Sequence, residues 1–258
     1  MGSKKDNERQ SIILAVTNQK GGVGKTTIAF NLAKGLAKRG KKVLAVDNDP
    51  QGNLTTAVLA DPESLTADIL KIFNETVDFD QPHTISKNFD FIGATIALAE
   101  VAEKSIDIIF LLKEYLDTIK DQYDYIIIDC LPSFGHLNLA ALNASEYVVI
   151  PTKAAPFALH GLISLMKNIK KTQARLNPDL KIAGIVLNLL ERTNIHKELE
   201  ENLRENYGDM VFQASIDKGV KYEESPFFNE SVMEYASKTK QAKQFNSFIR
   251  ELLKRVGE

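Results

Sequence analysis

The chain has 258 residues, 44% of them hydrophobic and 26% charged, with a net charge of −2 and a single cysteine. That length accommodates one α/β domain or two small ones with ample buried core, and the composition is that of an ordinary globular protein. No run approaches the roughly 18 apolar residues of a membrane-spanning helix. Cys130 alone cannot form an internal disulfide, which points to a reducing, cytoplasmic setting. The near-neutral charge gives no global pull toward nucleic acid, so any such binding needs a local basic patch.

Residues 1–10 are polar, lack the apolar core of a signal peptide, and are expected to form a loosely ordered leader before a single domain spanning 11–258. An apolar strand is predicted over 12–16, followed by a glycine-rich turn and a helix over 26–39 that Gly40 stops. A second strand, 43–46, ends in Asp47-Asn48-Asp49-Pro50. The signal weakens from 51 to 88, with a helical segment near 67–73 and a loop around Gln81-Pro82. Then come a short strand at 89–93, an amphipathic helix at 106–119 and the most apolar strand, 125–128, which ends at Asp129. A helix at 137–143, a strand at 147–150 and a helix at 157–176 that stops before Asn177-Pro178 follow. The remaining elements are a strand at 182–187 and helices at 194–206 and 239–256. This alternation predicts an α/β fold: one mostly parallel twisted sheet with helices on both faces. No repeat or linker interrupts it.

The turn after the first strand reads Asn18-Gln19-Lys20-Gly21-Gly22-Val23-Gly24-Lys25-Thr26-Thr27. Strand, glycine-rich loop and helix in that order form the context of a phosphate-binding loop. Gly21, Gly22 and Gly24 let the backbone curl so that successive N–H groups converge on an anion. Lys25 supplies a point charge for the β- and γ-phosphates, and the Thr26 hydroxyl a ligand for Mg²⁺. The usual loop begins with glycine six positions before its lysine, where this chain has Gln19, and Lys20 follows. A second cation beside a basic loop is costly unless it faces another anion.

Two acidic segments lie at the carboxyl ends of predicted strands, where open α/β sheets bind ligands. A carboxylate that follows four apolar strand residues, as Asp129 does, is expensive to bury without a cation. Mg²⁺ is the natural partner, held through water in the manner of a Walker B aspartate.

The stretch Lys-Gly-Gly-Val-Gly-Lys-Thr-Thr resembles the deviant Walker A loop of the ParA/MinD group of P-loop ATPases. Asp47-Asn48-Asp49-Pro50-Gln51-Gly52-Asn53 is similar to the second signature of ParA-type members. Pro151-Thr152, Ala158-Leu159-His160-Gly161-Leu162, Glu191-Arg192-Thr193-Asn194 and the late stretch Val211-Phe212-Gln213 through Lys221-Tyr222-Glu223-Glu224-Ser225-Pro226 extend the likeness over roughly residues 11–255. Two positions depart from it: Leu131 and Asp217 stand where the family usually has proline.

The resemblance implies a cytoplasmic, nucleoid-associated ATPase that uses ATP and Mg²⁺ and forms a homodimer on binding ATP. It implies that Lys20 reaches across the dimer to the partner's nucleotide, that Asp49 positions the attacking water and that Asp47 supports the metal shell. It further implies non-specific double-stranded DNA binding through Arg192 and Lys221, and stimulation by a ParB-like adaptor, with a plasmid or chromosome origin as cargo. The backbone and side chains of Lys20 to Thr27 would hold the nucleotide. Asn188, after the 182–187 strand, is either a base-edge contact or a strand-end turn residue, and Pro151 sits nearby.

Residues 238–255 contain six basic side chains and one acid, Glu251. Phe245, Phe248, Ile249, Leu252, Leu253 and Val256 recur at helical spacing, as expected of a terminal helix docked on the sheet with a solvated basic face. Non-specific DNA binding needs only phosphate neutralisation, and no preceding segment is long enough for a helix-turn-helix module. The five cations of 34–42 fall at a helix C-terminus, where the helix dipole accounts for them. A MinD-like switch that uses the terminal helix as a reversible membrane anchor is the alternative. A nitrogenase-type reductase is excluded, because its shared cluster needs two cysteines per subunit.

Overall fold

The computed structural model describes residues 11–75, 81–155, 158–191 and 193–257. In chain order the first half runs β1 (Ile12–Val16), α1 (Lys25–Lys38), β2 (Val43–Asn48), α2 (Asn53–Val58), α3 (Leu70–Phe73), β3 (His83–Ser86), β4 (Phe89–Ile92) and α4 (Leu111–Ile119). The second half runs β5 (Tyr125–Cys130), α5 (His136–Ala144), β6 (Tyr147–Lys153), α6 (Ala158–Arg175), β7 (Lys181–Asn188), α7 (Asn194–Tyr207), α8 (Lys221–Glu224), α9 (Val232–Tyr235) and α10 (Lys240–Arg255).

The strands form one seven-stranded sheet in the order β3-β4-β2-β5-β1-β6-β7. Every adjacent pair is parallel except β3 with β4. The continuous apolar runs of β1, β2 and β5 are explained by their place at the centre, where both faces are covered. Alternate residues divide between two cores. Ile13, Ala15, Leu44, Val46, Ile126 and Ile128 pack beneath helices that include α4, α5 and α6. Leu14, Val16, Val43, Ala45, Tyr125 and Ile127 pack on the other face, under α1, α2 and α10.

The sequence expectation of a mostly parallel α/β sheet covered on both faces therefore holds, with local differences. The edge strand β3 is absent from the sequence reading because its four residues alternate between half-buried and exposed and carry no apolar run. The helix expected at 106–119 opens as 3₁₀ turns over Ile106–Phe110 before α4 begins. The late stretch around Val211 meets the sheet at isolated bridges, Ile185 with Val211 and Leu190 with Asp217. Strands β2, β5 and β6 run two or three residues longer than expected, which carries Asp47, Asp129 and Lys153 inside regular pairing.

The apolar stripe of α10 is spent within the fold. Phe245, Phe248 and Ile249 are fully buried. Phe248 meets Phe212 edge-on with ring centroids 5.0 Å apart. Close approach to α1 is possible because Gly35 has no side chain: a Cβ there would lie 2.5 Å from Cδ1 of Ile249. The single acid of this stretch is structural as well, since Glu251 accepts the N–H groups of Gln213 and Ala214, each at 2.9 Å. The cations of 34–42 do more than complement a helix dipole. Lys34 and Lys38 donate to the carbonyls of Asn229 and Met233 at 2.6 and 2.9 Å and tie the 229–233 segment to α1, while Lys42, just before β2, pairs with Asp90 of β4. No helix among the described residues is long and apolar enough to cross a membrane.

Candidate nucleotide-binding site

The loop between β1 and α1 is held open from behind by two asparagines. Asn18 donates its amide to the carbonyl of Pro151 at 2.7 Å and accepts the N–H of Lys20 at 3.0 Å, stapling the start of the loop to β6. Asn188, at the end of β7, donates to the carbonyl of Val23 at 2.8 Å. The backbone curls through left-handed conformations at Gly22 (φ 64°) and Gly24 (φ 87°). At Gly24 glycine is obligatory for a second reason: a Cβ would sit 2.1 Å from Nδ2 of Asn188. No acceptor among the described residues takes the N–H of Gly21, Gly22 or Gly24. The first turn of α1 has neither a side-chain cap nor an acid. The exposed positive end of a helix and a curl of free donors form an anion cradle.

Lys25 is buried and donates to the carbonyl of Lys20 at 3.4 Å. Burial lowers its pKa, against the opposing pull of Asp129, Cys130 and Asp49. Thr26 and Thr27 occupy the first turn of α1, half-buried at the cradle's mouth. Lys20 and Gly21 are exposed, and no described acid pairs with the Lys20 ammonium.

Opposite the lysine stand the carboxylates. Asp47 of β2 and Asp129 of β5 are register partners on adjacent strands, 0% and 1% exposed. Asp47 is locally satisfied: one oxygen accepts the N–H and hydroxyl of Thr55, both at 2.8 Å, and the other accepts the N–H of Asp49 at 3.2 Å. Burial nonetheless raises its pKa to about 7. Asp129 differs, since neither of its oxygens finds a well-formed hydrogen bond among the described residues. Burial first and the Asp47 charge second drive its pKa well above the carboxylate range, while the nearby Thr26 hydroxyl and Lys25 pull the other way. Buried side-by-side acids of this kind are stable as anions only beside a cation. Asp49 is also buried, in a turn where its carboxylate accepts the N–H of Gln51 at 3.0 Å and its carbonyl that of Gly52 at 2.9 Å. The residues thus fit a Mg²⁺–nucleotide pair: an orphaned carboxylate, a hydroxyl and an ammonium surround an anion cradle. Among the described residues no cluster of three or more His, Cys, Asp or Glu side chains forms a metal cage, so an ion here would complete its shell with phosphate oxygens and water.

The fold brings together Gly21 to Thr27, Asp47, Asp49, Asp129 and Asn188 at the carboxyl end of the sheet. One of the two N–H donors of the Asn188 amide is taken by the loop, and the residue is buried. Arg192 lies outside the described residues. Lys221, on α8, is remote in sequence from the loop and pairs with Glu224 at 2.7 Å, its ammonium 5.4 Å from the ring centre of Tyr235. Sequence reasoning missed Asn18 and Thr55. Only Asn18 carried a usable signal, a buried-side polar residue directly after an apolar strand and before the loop.

The fold and this site define a P-loop nucleotide triphosphatase of the variant-loop class. A family model described as an AAA domain matches residues 11–182. The chain is 39% identical over 247 residues to the sporulation initiation inhibitor protein Soj of Bacillus subtilis, covering 93% of this chain and 97% of that protein. It is 34% identical over 255 residues to the chromosome partitioning protein ParA of Caulobacter vibrioides, covering 94% of each. Among solved structures, a plasmid partition protein of Borrelia burgdorferi B31 bound to AMPPNP superposes with a TM-score of 0.82 at 29% identity, over 95% of this chain and 100% of that one. Cobyrinic acid a,c-diamide synthase of Mycobacterium smegmatis, with bound ATP analog and magnesium, gives a TM-score of 0.81 at 28% identity over 96% of both chains. The chain belongs to the ParA/Soj family of partition ATPases. It is an ATPase.

Proposed function

We propose that this chain is the ATPase of a DNA partition system, alternating between an ATP-bound homodimer that holds non-specific duplex DNA and a form that does not. The observation that carries this reading is the pair of lysines on one loop. Lys25 is buried toward the carboxylates, whereas Lys20 is exposed at the rim with no described acid beside it. A cation left outside a complete cradle is suited to phosphate on a second subunit, which would make dimerisation depend on ATP.

Within one subunit, Lys25 and the N–H groups from Gly21 to Thr27 bind the β- and γ-phosphates. Thr26 and Asp129 would hold Mg²⁺, which would supply charge neutralisation on the phosphates. Asp49 orients the attacking water, and Asp47 fixes the turn that presents Asp49 while anchoring α2 through Thr55. Phosphoryl transfer is mostly positioning and charge stabilisation, so such a frame is sufficient chemistry. Asp49→Ala is expected to bind ATP normally and to lose about 100-fold or more in turnover.

Arg192 and Lys221 contribute to the DNA face, and a ParB-like adaptor stimulates hydrolysis and release. In this structure the Glu224 carboxylate shares Lys221 and partly neutralises it toward a phosphate. A MinD-like membrane anchor finds no support in α10, whose apolar stripe is buried against Phe212 and α1. The test is duplex DNA binding at about 0.1 M salt with ATP, ADP or no nucleotide, for wild type and Lys20→Ala. Binding with ATP only, lost in the variant, is the expected result. Equal binding in all three states, or none, contradicts nucleotide-gated DNA capture.

A further inference from the structure

Lys153 closes β6 in register with Asn188 at the end of β7, so both side chains leave the same face of the sheet. Asn188 grips the loop at Val23 and Gly24. Lys153 reaches the same loop one residue earlier: its Nζ lies 3.8 Å from the position a Cβ would take on Gly22. The side chain is half-buried, and among the described residues no carboxylate lies within ion-pair distance of it. The acid that feels its charge, Glu191, is already bonded to Lys218 at 3.1 Å.

Two ammonium groups, those of Lys25 and Lys153, therefore approach one short loop whose backbone also presents free N–H groups. Like charges gathered at a partly desolvated site repel one another unless an anion occupies the space between them. A lysine kept for packing alone would lay its stem on apolar surface and send its head to water or to an acid. Lys153 instead places its head beside Gly22 of the loop.

We propose that Lys153 is a third phosphate-binding lysine of the nucleotide site, a cation supplied by β6 that contacts the nucleotide's phosphate chain from the Gly22 side. The assignment rests on the reading of the loop as an ATP site. Lys153 adds binding energy proportional to phosphate charge, so it favours ATP over ADP. Its electrostatic origin makes the contribution fall with salt.

The test is isothermal titration of Mg·ATP and Mg·ADP into wild type, Lys153→Gln and Lys153→Arg at two salt concentrations, with melting of each nucleotide-free protein alongside. Lys153→Gln is expected to weaken ATP about tenfold and ADP less, with a shallower salt dependence and a nucleotide-free melting point within about 2 °C of wild type. Lys153→Arg is expected to retain most of the affinity. Wild-type affinity in Lys153→Gln at both salts, or equal weakening in the Gln and Arg variants, overturns the proposal while the ATP site stands. Failure of the wild type itself to bind ATP overturns the reading of the loop, and this proposal with it.

Discussion

Two charged regions of the molecule contrast. At the carboxyl end of the sheet, charges are buried and unbalanced: Asp129 has two orphaned oxygens, Lys25 is desolvated, and glycine N–H groups await acceptors. Along the late segment and α10, exposed and half-buried charges pair with one another. Lys218 pairs with Glu191, Lys221 with Glu224, Lys240 with Asp217 and Arg255 with Glu251. An unbalanced buried charge costs several kcal/mol unless a ligand completes it, whereas a surface ion pair contributes about 0–1 kcal/mol and binds phosphate by simple exchange. The first region therefore names its ligand class by its own chemistry, and the second only tolerates one.

The comparison breaks most sharply at Gly24. Gly24→Ala drives a methyl group into the Asn188 amide at a left-handed backbone position, and ATP affinity is expected to fall by about 100-fold or more in titration calorimetry, with the sheet still folded by circular dichroism. The carboxylate pair gives a medium effect. Asp47 has a raised pKa of about 7 in the native state, so between the usual carboxylate range and that value the native protein holds more protons than the unfolded chain. Stability of the nucleotide-free protein accordingly falls as pH rises through that window, and levels off above it. Melting scans from pH 5 to 8 should show a decline of several degrees that Mg·ADP flattens, because a cation compensates the buried anions. A decline untouched by Mg·ADP would separate the carboxylates from the metal. At the surface the effects are small: Glu224→Gln releases Lys221 and is expected to strengthen ATP-dependent DNA binding about two- to fivefold, with stability within about 0.5 kcal/mol of wild type. Weaker binding in that variant would mean the pair itself shapes the DNA face.

Much of the nucleotide site was legible because its parts are local. The glycines and lysines of 20–27 are contiguous, and Asp129 announces itself as an acid ending the most apolar run in the chain. The central strands were legible for the same reason, being buried on both faces. What escaped was tertiary. Lys153 is a lone lysine after Pro-Thr, and only the β6–β7 register sets it beside Gly22. The helix α2 is six residues long and is defined by Gly52 at φ 62° and the Asp47–Thr55 bonds, neither of which has a periodic signature. The departure at Asp217 became interpretable only in three dimensions. Its carboxylate pairs with Lys240 and its N–H faces Gln244 at 3.4 Å, so a residue with a backbone donor and a negative charge anchors the start of α10.

The central claim is that the unbalanced charges around the loop are completed by Mg²⁺ and nucleotide phosphate. Titration of ATP into wild type and Asp129→Asn, each with and without Mg²⁺, tests it most directly. The structure predicts that Mg²⁺ tightens ATP binding in wild type by about tenfold or more and that this gain vanishes in the variant, whose neutral amide no longer needs a cation. An undiminished Mg²⁺ gain in Asp129→Asn would contradict the claim and remove the buried carboxylate from the site.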